Sequence, residues 1–205
     1  MLLIYSLFVG ITFSRPRLAA IIQRIRLNPA IKFVVLVIVA GMMMEFLAWS
    51  SSYLERNPNP ALFHPQLVYD LLIGIGFYAG NGIAWALILS RYRFSLVQVF
   101  ATQGVFGVFI EQNGAVFRQG LVSFPLGMIF WVYVFLVYGS FIAIAYAITQ
   151  GELNQAVQRS GWLKYPLALA LVWLLTFGVS WIWALPWEAG GLIPGPRPIW
   201  EQPLW

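Results

Sequence analysis

Three carboxylates stand inside apolar runs of this chain: Glu45 in residues 31–50, Asp70 at the head of 66–90, and Glu111 near the end of 95–112. An ionised carboxylate within a spanning helix costs about 3 kcal/mol on insertion scales, so such groups tend to face a bundle interior and to mark function. Two carboxyls in an apolar setting can divide into general acid and general base. Glu45 and Asp70 are the first candidates for that division, with Glu111 as a third catalytic candidate. His64, Asn81, Gln112, Asn113 and Arg118 are polar or charged residues placed to contact a ligand, and Arg118 is in addition a possible counter-ion for Glu111.

Each carboxylate shares a helical stripe with glycine. Gly41 precedes Glu45 by one turn, Gly74 follows Asp70 by one, and Gly104 and Gly107 precede Glu111 by two turns and one. Glycine on an internal face either lets helices approach or leaves a cavity. Gly76 and Gly80 form a separate small-residue spacing of the kind used in helix packing.

The remaining residues exclude much chemistry. There is no cysteine and a single histidine, which removes thiolate nucleophiles, iron–sulfur ligation, two-histidine haem ligation and diiron sites built on paired Glu-x-x-His motifs. No phosphate-binding loop, nucleophile elbow, zinc-protease helix or dinucleotide fingerprint is present. No metal centre is assigned, although carboxylates with amide oxygens are compatible with a divalent cation. The residues specify no cofactor.

Positioning these groups falls to membrane-length helices. With 60% hydrophobic and 9% charged residues and a mean hydropathy of +0.78, the 205-residue chain lies far from soluble composition. The reading is a single all-α integral membrane domain over 1–205, a bundle of five to six transmembrane helices. Spans are expected at about 31–50, 66–90, 95–112, 121–149 and 165–187, at roughly 20 apolar residues per crossing. Residues 1–13 read as a short or partly inserted first helix, and 14–28 as a basic amphipathic segment on an anionic leaflet. The tail 188–205 is rich in Gly, Pro and Trp, extramembrane, and able to fold over the site as a lid.

Alternating the spans gathers nine of the twelve basic residues on one side, leaving Arg56, Arg118 and Arg197 on the other. The positive-inside rule makes the nine cytoplasmic and places the C-terminus outside, in a prokaryotic inner membrane or a thylakoid-like membrane. The formal charge of +5 is therefore topological and implies no nucleic acid. The three carboxylates then fall at one depth beneath the outer surface.

Two functional classes follow. One is a non-catalytic subunit, or a binding protein for a lipid, pigment or isoprenoid, within a larger membrane assembly or homo-oligomer. The other is an intramembrane enzyme using Glu45, Asp70 and Glu111 on an isoprenoid, quinone or lipid. A transporter ranks third, since the polar groups sit at one end and not at the midplane.

Overall fold

A computed structural model describes residues 2–153 and 161–205, excluding the side chain of Gln112. The described residues form seven α-helices: α1 (Leu2–Gln23), α2 (Pro29–Leu54), α3 (Leu67–Leu89), α4 (Leu96–Phe109), α5 (Ala115–Val122), α6 (Gly127–Leu153) and α7 (Lys164–Ala189). Four of them, α2, α3, α6 and α7, are long and apolar enough to cross a membrane.

Local chemistry sets the boundaries. Asn28 accepts a hydrogen bond from the Ala30 N–H at 2.8 Å, and Pro29 occupies the first helical position, where its missing N–H costs nothing. Ser95 and Gln98 form a reciprocal capping box that starts α4. Asn113 and Gly114, with φ of 54° and 73°, turn the chain after α4 in the left-handed region that such residues tolerate. The 3₁₀ turn Glu111–Gly114 carries this reversal into α5.

Three helix bounds differ from the expected segments. Residues 1–13 and 14–28 do not form two units: α1 is continuous from Leu2 to Gln23 and passes through Pro16, which removes a single backbone donor. Leu18 and Ile22 of its second half pack against the core, while Arg17 and Arg24 are exposed. The run 95–112 yields a helix of only 14 residues, about 21 Å long at 1.5 Å per residue and too short to cross alone. The expected span from 121 begins instead at Gly127, after Pro125, and extends to Leu153.

α6 is the hub, packing against α1, α2, α4 and α5, while α3 packs between α2 and α7. Several polar groups inside this core are paired between elements. The Asn81 side-chain carbonyl accepts from Gln103 at 3.0 Å, and the Gln103 carbonyl accepts from the Trp85 indole at 2.7 Å, tying α3 to α4. Tyr146 of α6 donates to the Phe94 carbonyl at 2.6 Å. At the end where α2 starts and α6 finishes, Lys32 pairs with Glu152 at 2.9 Å.

The α3–α7 contact depends on Gly76 and Gly80. A β-carbon at Gly76 would meet Trp183, and one at Gly80 would come within 2.5 Å of the Leu175 carbonyl and 2.7 Å of Thr176 Cα. Backbone cannot yield as a side chain can, so Gly80→Ala should lower the unfolding free energy in mixed micelles by about 1–3 kcal/mol. Gly178→Ala, where nothing lies within 4 Å, should leave it unchanged or raised. Equal effects of the two substitutions would show that close helix approach does not govern this contact.

Candidate functional site

Glu45 and Glu111 line one cavity of about 440 Å³. Its wall is assembled from α2 (Glu45), α3 (Phe77, Tyr78), the turn after α4 (Glu111), α6 (Tyr138) and α7 (Phe177, Ser180). Residues 61–63 of the α2–α3 loop complete it. Both carboxylate residues are only 7% exposed.

The same local device stands beside each glutamate. Tyr78 of α3 lays its ring over Gly41 of α2, where a β-carbon would collide with it, and its hydroxyl donates to Glu45 Oε2 at 2.5 Å. Tyr138 of α6 lies over Gly107 of α4 in the same way, and it lines the cavity together with Glu111. In both cases a glycine one turn before a glutamate makes room for a tyrosine from the next helix. The distance at Glu45 is in the range of charge-assisted O–H···O bonds.

Glu45 lies within electrostatic reach of both Glu111 and Asp70, so the three acidic groups do gather at one end of the bundle. They differ in role. Asp70 is completely buried and does not line the cavity; its Oδ1 accepts the backbone N–H of His64 at 3.0 Å, anchoring the loop that does. Among the described residues no group of three or more His, Asp or Glu side chains is arranged to hold a metal ion.

His64 is turned away from ligand duty by its neighbours. Its Nδ1 accepts the Gln66 N–H at 3.1 Å, its Nε2 is 3.2 Å from the Pro194 carbonyl, and its ring meets Tyr69 edge-on. Asn81 serves the α3–α4 network. Arg118 is exposed and donates to the Asn113 carbonyl at 2.6 Å, closing the turn after α4 without pairing with Glu111. The side chain of Gln112 lies outside the described residues.

The tail folds back on this end, gripping the loop and the start of α3 instead of lining the cavity. Gln66, 1% exposed, donates to the Arg197 carbonyl at 2.9 Å. The Leu67 and Val68 N–H groups donate to the Pro203 and Leu204 carbonyls at 3.0 and 3.1 Å. No side chain caps α3, so the tail carbonyls supply acceptors for donors that a helix start otherwise leaves unmet. Trp49 belongs to the same latch, its indole donating to the Pro65 carbonyl at 2.9 Å.

Sequence reasoning passed over Tyr138, Gln66 and the 61–63 segment. A signal for the tyrosines existed: a phenol inside an apolar run must find a hydrogen-bond partner, and the buried carboxylates were the acceptors on offer.

Chemically, the described residues of the cavity offer two carboxyls, two phenols and one hydroxyl among aromatic rings, with no basic side chain among them. It can accept hydrogen bonds from a bound group, stabilise a positive one, or exchange protons with it. A double-mutant cycle tests its geometry: Tyr78→Phe combined with Glu45→Ala should give a coupling of about 1.5–3 kcal/mol in unfolding free energy, the worth of a hydrogen bond to a charged group. A coupling near zero would mean that tyrosine does not hold the carboxylate.

No protein family, characterised protein or solved structure matches the chain, so the reading of the cavity rests on its own geometry.

Proposed function

We propose that the protein is an integral membrane binding protein for an apolar molecule with a polar end, such as a lipid or isoprenoid, and that the polar end occupies the cavity between Glu45 and Glu111. The supporting observation is that carboxylates from two different elements face one aromatic-walled space. A lining with two acids and no base rejects a phosphate or carboxylate end and favours a hydroxyl, an amine or an ammonium, the last also attracted by ring faces. A volume of about 440 Å³ holds a head group with a short stretch of chain. The rest of such a molecule lies along lipid-facing side chains such as Leu174, Trp181 and Ile182 of α7, which are more than half exposed. The same surface suits a neighbouring subunit in a larger assembly.

The membrane reading comes with an orientation. The end bearing Arg15, Arg24, Lys32, Arg93 and Lys164 faces the cytoplasm of a prokaryotic inner membrane or its thylakoid-like equivalent, and the carboxylate cavity opens beneath the outer leaflet. A periplasmic reporter fused after Trp205 should be active, and one inserted between Arg24 and Asn28 silent; the reverse pattern would invert the topology.

A second reading is catalytic, and the pairing of Glu45 with Glu111 favours it: two carboxyls on one bound group can donate and accept protons in turn. Extraction distinguishes the readings. Wild-type protein purified in detergent should retain a small apolar molecule detectable by mass spectrometry, with occupancy at least tenfold lower in Glu45→Gln/Glu111→Gln. Equal content in both proteins would defeat the binding assignment. If Glu111→Gln alone retains a molecule chemically different from the wild type's, the site transforms its ligand; if it retains the same one, the site only holds it.

A further inference from the structure

The end of the bundle opposite the carboxylates carries a second cavity, of about 570 Å³. Arg15 of α1, Arg93 of the α3–α4 link and Lys164 at the start of α7 line it, with Gln98 and Gln150. Three cations from separate segments meet there, and among the described residues no acidic side chain is in the lining. Glu152 is committed to Lys32 at 2.9 Å. Lys164 is 6% exposed, its ammonium held by the Arg93 carbonyl at 2.7 Å and the Gln98 side-chain carbonyl at 2.9 Å and set 4.5 Å from the centre of the Phe94 ring. An ammonium so enclosed, with only neutral acceptors, gains from an anion placed beside it. The first residues of α4 also open onto the cavity, adding the positive end of a helix dipole.

A neighbouring apolar groove of about 360 Å³ runs between α4 and α7, lined by Ala101, Val105, Tyr165 and Leu169. Val97 and Gln98 belong to both, so the basic cavity continues into a hydrocarbon channel. Charge at one end and a chain-width groove at the other match an amphiphile whose head is anionic.

We propose that this composite site binds a phosphate-bearing anion, an anionic phospholipid with its head group between Arg15 and Arg93 against the fixed Lys164 and one acyl chain along the α4–α7 groove. The proposal takes membrane insertion from the reading above but not the ligand of the carboxylate cavity, so either site can fail alone.

The test uses the purified full chain in mixed micelles, with the unfolding midpoint followed against phosphatidylglycerol, phosphatidylcholine and inorganic phosphate. Phosphatidylglycerol should raise the midpoint where phosphatidylcholine does not. Its affinity should fall about thirtyfold in Arg15→Gln/Arg93→Gln, at roughly a fivefold contribution per arginine near a phosphate. Arg17→Gln/Arg24→Gln, which removes the same charge from positions outside the cavity lining, should bind as the wild type does. Ala101→Trp fills the groove and separates the sources: it should weaken phosphatidylglycerol while sparing any inorganic phosphate response, and a phosphate response that matches the lipid's would assign a free anion instead. Equal stabilisation by phosphatidylglycerol and phosphatidylcholine, or equal loss in the two double variants, would overturn the site.

Discussion

Two tyrosine rings laid over two glycines decide how this bundle is put together. A buried carboxylate must be given donors or it opposes folding, and Glu45 takes its donor, the Tyr78 hydroxyl, from a different helix. Tyr78 commits α3 to α2 and Tyr138 commits α6 to α4, each through a ring that fits only because a glycine stands one turn before a glutamate. Neither contact forms without helix approach, and the approach is set by glycine. The cavity is what remains between two such joints, so its shape and its chemistry share one cause.

The molecule is chemically polar along its long axis. One end presents acids, phenols and aromatic rings, the other arginines, a lysine and a helix start. Between them the polar groups are consumed internally, Asn81 by Gln103 and Gln103 by Trp85. Paired amides of this kind add specificity to a core that is otherwise aliphatic and aromatic, since a helix slipped by one turn would leave each of them unsatisfied. Gly76 and Gly80 add a steric counterpart on the opposite face of α3, where α7 comes near enough for backbone contact.

Much of this was legible in the residues. The apolar runs, the proline-rich loop before α3, the basic end and the gathering of Glu45, Asp70 and Glu111 towards one end of the bundle follow from hydropathy, turn chemistry and direction of travel. Partnership was not. Hydropathy reports which solvent a residue prefers and is silent on which helix it faces, so Tyr138 looked like any aromatic of a long apolar run. Asp70 looked equivalent to Glu45, yet the backbone N–H of His64 draws it into loop anchoring. Residues 1–13 and 14–28 read as separate units because the apolar stretch is short and basic residues follow it; α1 runs on through Pro16 at the loss of one backbone donor. Residues 95–112 read as a full span closed by a turn at Asn113 and Gly114; the turn is there, and the 3₁₀ segment Glu111–Gly114 that contains it leaves α4 only 14 residues.

The latch between the tail and the start of α3 has a consequence for biosynthesis. Gln66 and its acceptor at Arg197 are 131 residues apart. At the usual pace of translation, on the order of ten seconds separates their emergence from the ribosome. Throughout that interval the amide donors of Leu67 and Val68 have no tail to meet, and the loop beside the carboxylate cavity relies on contacts such as those with Asp70, Trp49 and Phe77. The wall that α7 adds through Phe177 and Ser180 and the latch that fixes the loop beside it are thus the last parts of the site to be made.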